Sequence, residues 1–365
     1  MNHSGAAQRS VEGWLWLALR LLVVAGAGLP PHLAAAPLSD AAVAPSTYSV
    51  VRQISGPDGR WDYASISSER HRLYLAQGGV TTLDLTDEKI LPRTVAGRIT
   101  HAVVYAPETG RLFTTDGADH VVRVFDEASG VLQAEIDTGA SASAKGIHNP
   151  DALVLDPHSG FLVAVNGDSG DVLLIDTQKR ATAGVIHVGG QLEFAVADGA
   201  GRLYVNVASS NAIAVVDIRE LKVVQRLPLK ECEEPTGLAY DASIGLLISV
   251  CNNGVAKFIA TRSAREVASL KVARGADAVI YDSVRHRVFI PGADDGMVSV
   301  ISVESLSKIA VVQTIATPKG VRLGAVDETT GRLYLPTADF GPPVPPVPYP
   351  SVVPGTFKIL VVDTK

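Results

Sequence analysis

The chain has 365 residues, 47% apolar and 19% charged, with 32 Lys+Arg against 38 Asp+Glu for a formal net charge of -6. That composition is enough to bury a core, so disorder is excluded, and the acidic balance argues against a dedicated nucleic-acid binder. Two cysteines and no C-x-x-C-H run exclude a c-type haem attachment, an iron–sulfur cluster and a thiolate zinc site.

The N-terminus reads as an export signal. Residues 1–13 are polar and include Arg9; an apolar run follows from Trp14 to Leu29, broken by Arg20. Pro30-Pro31 and the small residues Ala34-Ala35-Ala36 come next. Basic, apolar and small-residue regions in that order predict cleavage after Ala36, with Ala-Val-Ala at 42–44 as a second candidate site. A membrane anchor fits less well, because the run is short and Arg20 interrupts it. The expected organisation is a signal peptide over 1–36, a leader over 37–47 and one domain over 48–365, in a periplasmic or secreted protein with no membrane span once matured.

The rest of the chain repeats one pattern. An apolar couplet after a turn recurs at Leu73-Tyr74-Leu75, Leu112-Phe113, Leu162-Val163, Leu203-Tyr204-Val205, Leu247-Ile248, Val288-Phe289-Ile290 and Leu333-Tyr334-Leu335. Before each couplet lies another apolar run, often ending in Asp, as at Asp156, Asp198, Asp241, Asp282 and Asp327. After it come an alternating run, such as Val121–Asp126 or Ile213–Asp217, and then a fourth run, such as Val223–Leu227. Four short strands per unit of about 40–45 residues is the mark of a propeller blade. A blade cannot bury both faces alone, so seven of them must stack into a ring. The last unit supplies three strands only, while Tyr48–Ile54 precedes the first inner strand without a blade of its own. Pairing the two predicts an all-β, seven-bladed β-propeller of four antiparallel strands per blade, closed by the N-terminal strand, with two sheet edges removed.

The repeat resembles the YVTN/YncE family of seven-bladed propellers over about residues 48–365. The resemblance is carried by Arg202-Leu203-Tyr204-Val205-Asn206 and Ala214-Val215-Val216-Asp217. It implies a secreted or periplasmic binding protein rather than one enzyme class. The Gly-His and Trp-Asp marks of WD40 blades are absent, and the double-Gly marks of kelch blades are irregular.

Strand alternation places the entry to each inner strand, and the loop between second and third strands, on one face. Aligning the seven inner strands puts Asp62, His101, Asp151, Glu193, Thr236, Asp277 and Arg322 at equivalent entry positions. All are polar and six are ionisable, so they form a candidate ligand-binding ring around the axial funnel. Wet channel mouths also favour polar groups, which is the plain alternative. His71, His158 and His286 fall on the opposite face. His101, His120, His148 and His187 map to the funnel face, near Asp116, Asp119, Asp151 and Glu193. Imidazoles with carboxylates suit a transition metal, the candidate cofactor here, although no tight ligand spacing supports it.

Two insertions also lie on the funnel face. Gly139–Pro150 carries Lys145 and His148. The proline-rich segment over 339–355 reads as a stiff, extended lid, partner-docking surface or spacer, with Phe340 and Tyr349 as anchors. Cys232 precedes the inner strand of the fifth blade and Cys251 ends its second strand; antiparallel pairing and an oxidising compartment predict a disulfide. Two functions follow. The leading one is an exported monomeric propeller that binds a small ligand or partner protein at the funnel, without nucleic acid. The alternative is a metal-assisted hydrolase or lyase, with His101 and His148 as ligands or acid/base groups, Asp151 and Glu193 in support, and Arg322 as an anion anchor.

Overall fold

The computed structural model describes residues 47–92, 95–139, 149–156, 158–343 and 350–365. The expected signal peptide over 1–36, nearly all of the leader over 37–47, His148, Lys145 and Tyr349 lie outside the described residues. Among those described, no helix is long and apolar enough to cross a membrane.

The described residues between 47 and 365 form seven antiparallel blades. The first joins Ala64–Ser67, Arg72–Ala76 and Gly79–Asp84 to an outer strand in two pieces, Lys89–Ile90 and Val95–Ala96. Blades two to six each run inner to outer in chain order, starting at Thr100–Ala106, Pro150–Leu155, Leu192–Ala197, Pro235–Asp241 and Ile280–Asp282. In the seventh, Ala325–Asp327, Arg332–Thr337 and Lys358–Thr364 are completed by Tyr48–Ser55. The expected closure is therefore present.

Burial explains the sequence pattern. Second and third strands are covered on both faces by neighbouring blades, so they are buried almost throughout and mostly apolar, as in Arg202–Val207 and Ala212–Asp217. Outer strands face solvent and are mostly exposed, as in Lys222–Pro228. The recurrent Asp residues build the turns. Asp282 Oδ1 accepts the backbone N–H groups of Val284 at 3.0 Å and Arg285 at 2.9 Å, and Asp327 accepts that of Thr329 at 3.1 Å. These are side-chain turns for which a short carboxylate or amide is best suited.

The closing strand is held from two sides. It pairs with Lys358–Thr364, from Tyr48 opposite Thr364 to Ser55 opposite Lys358. The Gln313 side chain of blade six donates to the Tyr48 carbonyl at 2.6 Å and accepts the Tyr48 N–H at 3.0 Å. Tyr48 also packs edge-on against Phe289, with ring centroids 5.0 Å apart.

Candidate functional site

Blades two to five share one irregularity at their inner edge. Thr100 pairs with Asp116 and Val103 with Thr114, so His101 and Ala102 oppose the single residue Thr115. The same two-against-one break falls at Asp151, Glu193 and Thr236. Each is the first residue of a β-bulge. A bulge bends its strand and re-aims a side chain, which is why such features gather beside functional sites. In blades one, six and seven the short inner strands begin after Asp62, Asp277 and Arg322.

The ring backbone is fixed from blade to blade. The His101 carbonyl accepts the Tyr63 N–H at 2.9 Å, and the Arg322 carbonyl that of Asp277 at 3.1 Å. Thr115 Oγ1 donates to the Asp151 carbonyl at 2.7 Å, and Asn206 Nδ2 to that of Thr236 at 2.8 Å. Thr236 spends its own hydroxyl on the Ala276 carbonyl at 2.8 Å, so its side chain is a structural member of the ring. Tyr63 lies among the carboxylates and packs on Phe194 of blade four, centroids 5.2 Å apart. Its phenol is held well above the usual range by burial and then by Asp151, Asp277, Asp62 and Glu193.

The ring carries more carboxyl groups than cationic ones. His101 Nδ1 lies 2.9 Å from Asp62 Oδ2 and 3.8 Å from Asp151 Oδ1. Arg322 Nε reaches Asp277 Oδ2 at 3.1 Å. Among the described residues no hydrogen bond or ion pair reaches the Glu193 carboxylate. Burial, then the neighbouring Asp62, pushes Asp151 up to about 7. Burial, then Asp151 and Asp277, pushes Glu193 up to about 8. Asp277 rises to about 6, because burial outweighs the Arg322 charge. Burial pulls the His101 imidazole down, but the Asp62 hydrogen bond and Asp151 carry it above its ordinary value.

Of the histidines expected to gather here, only His101 does so among the described residues. Asp62, His101 and Asp151 place their ligand-type atoms within 4.8 Å of one another. His187 instead pairs with Asp171 at 2.8 Å on blade three, with its side chain 71% exposed. His120 takes a left-handed turn position at φ 57°, like His71 and His286 on the other face. These left-handed positions belong to turns. A shared face is not a shared site: alternation groups loops by side, while the blade spacing keeps them apart.

Two features were not read from the sequence. A cleft of about 850 Å³ opens on blades four to six, lined by the ring positions Glu193 and Thr236 together with Glu233, Glu234, Asn252 and Arg274. Its wall is pinned by the Cys232–Cys251 disulfide, Cα–Cα 5.4 Å, next to Glu233–Glu234 on one side and Asn252 on the other. Asn252 Nδ2 donates to Glu234 Oε2 at 3.0 Å, and Arg274 is taken by Asp295 at 2.9 Å. The second feature is a strand pairing within the expected proline-rich segment, Phe340–Pro343 with Pro350–Val352. Phe340 packs on Trp61, centroids 6.0 Å apart, beside Asp62.

No family model matches the chain, and no curated protein matches it in sequence. Solved structures do match. A chain of "Crystal Structure of Mitotic Checkpoint Complex" superposes with a TM-score of 0.68 at 13% identity, covering 87% of this chain and 96% of that one. A chain of Kuenenia stuttgartiensis hydrazine synthase gives 0.64 at 15% identity, covering 77% and 92%. At such identities the likeness carries the fold alone: the chain is similar to these proteins as a β-propeller.

Proposed function

We propose that the protein is an exported propeller, periplasmic or secreted and of YVTN/YncE type, that binds a small organic cation at its funnel face. One observation carries the reading: the 850 Å³ cleft includes the ring positions Glu193 and Thr236, so a ligand seated there touches the acidic ring. Small-molecule sites have volumes of about 300–1,000 Å³. Here the lining is carboxylates, amides and hydroxyls, with Arg274 already engaged by Asp295. Such a wall offers acceptors and negative charge, which suits ammonium and hydroxyl groups. The export signal over 1–36 and the expected disulfide agree with an oxidising compartment. The described start of the proline-rich segment, with Phe340 packed on Trp61 beside Asp62, offers a docking surface near the ring.

Isothermal titration with spermidine as the probe tests this reading. We expect saturable binding near one equivalent, weakened at least tenfold by Glu193→Gln and by Glu234→Gln. Glu108→Gln, on the opposite face, should leave it unchanged. Equal affinity in all four proteins would remove the reading. The alternative, a metal-assisted hydrolase or lyase, is favoured by one feature, the Asp62–His101–Asp151 cluster.

A further inference from the structure

We infer that Asp62, His101 and Asp151 form a binding site for one first-row divalent transition-metal ion at the funnel mouth. The inference uses other side chains than the spermidine cleft and does not rest on it.

The geometry comes first. Ligand atoms held at about 2.0–2.2 Å from one metal stand about 3–4 Å from each other. His101 Nδ1 stands 2.9 Å from Asp62 Oδ2 and 3.8 Å from Asp151 Oδ1, and all three ligand atoms fit within 4.8 Å. Little rearrangement is needed to place an ion between them. One imidazole nitrogen with two carboxylates is a borderline donor set, which selects Mn, Fe, Co, Ni or Zn over Mg or Ca. Three protein ligands leave positions open for water or a substrate.

The surroundings fit the same reading. The three residues come from three different blades, and the backbones of His101 and Asp151 are locked by the inter-blade hydrogen bonds of Tyr63 and Thr115. The donor atoms are thus preorganised by the ring and not by one flexible loop. The Asp151 carboxylate has no hydrogen-bond donor among the described residues and points at the His101 ring instead. Arg322 pairs with Asp277, leaving the carboxyl groups of Asp62 and Asp151 to face the single imidazole. A divalent ion matches those two groups in charge once both are ionised. Metal-bound imidazoles usually hold their second nitrogen in a fixed environment. Here Nε2 abuts Gly117: a Cβ at that glycine would stand 2.8 Å from Nε2 and 2.3 Å from Asn149 Oδ1. The missing side chain leaves room for the ring in this orientation.

The test is a titration of the metal-stripped mature protein with CoCl₂ and ZnCl₂, followed by calorimetry and by the visible d–d bands of Co²⁺. We expect one equivalent in the wild type. His101→Ala and Asp151→Asn should each weaken binding at least tenfold and abolish the Co²⁺ spectrum, while His187→Ala leaves both intact. Gly117→Ala, which crowds Nε2, should alter the Co²⁺ spectrum. Near-UV circular dichroism reports folding, and Asp151→Asn keeps side-chain volume should His101→Ala unfold. Absence of stoichiometric binding in the wild type, or full binding in both His101→Ala and Asp151→Asn, overturns the inference. Loss of metal with spermidine binding intact would sink the metal site alone; the reverse would sink the cleft alone.

Discussion

Glu193→Gln is expected to stabilise the protein at alkaline pH and to leave it unchanged in acid. In the folded ring the Glu193 carboxyl holds its proton up to about pH 8, whereas the ordinary value is 4.5. The cause is burial first and the charges of Asp151, Asp277 and Asp62 next. Between those two values the folded state binds more protons than the unfolded chain. Stability therefore falls as pH rises through that window and levels off above about 8. At about 1.4 kcal/mol per pH unit, the gap from 4.5 to about 8 sets a ceiling of about 5 kcal/mol. The side chain is only part-buried in an open funnel, so solvent screening brings the figure to about 2 kcal/mol. Gln keeps the shape and removes the charge. Chemical denaturation in EDTA should give equal stabilities at pH 4.5 and a variant about 2 kcal/mol more stable at pH 9. A pH-independent difference, or a less stable variant at pH 9, would refute the reasoning.

Further outcomes follow from the same geometry. Spermidine affinity should rise from pH 5.5 to pH 8.5, because Glu193, which lines the cleft, loses its proton near 8 and becomes a charged partner; calorimetry at the two pH values checks this. Replacing both Cys232 and Cys251 by Ala releases a crosslink spanning a sequence separation of 19 and should cost about 3 kcal/mol in denaturant unfolding. The same change should weaken spermidine binding, since the bond holds both walls of the cleft. Gly117→Ala should cost about 1–3 kcal/mol, because its Cβ would overlap Asn149 and the His101 ring. Removal of residues 48–55 exposes the edge of Lys358–Thr364 and should yield aggregated protein by size-exclusion chromatography.

Much of the fold was legible because the propeller writes itself in one dimension. Each blade repeats the same buried couplet, and the missing strand at one end matched the spare strand at the other. The ring was legible for the same reason: a fixed register carries His101, Asp151, Glu193 and Thr236 to equivalent places. The bulge that aims them was not, since a two-against-one pairing leaves no residue signature in Thr100–Ala106 or Pro150–Leu155. The cleft was hidden because its walls come from loops of three blades, whose separation depends on how the blades pack. The histidines were grouped too broadly: face assignment follows from alternation, but proximity needs distances, and His187 turned out to be the partner of Asp171. Thr236 was placed correctly, yet its hydroxyl serves the neighbouring blade.

The central claim is that the funnel face between blades four and six receives the ligand. Diffraction from crystals soaked in spermidine tests it most directly. The account predicts density for the amine in the cleft, with ammonium groups within hydrogen-bond distance of Glu193 and Glu234. A fully occupied spermidine on the opposite face, with an empty cleft, would contradict it.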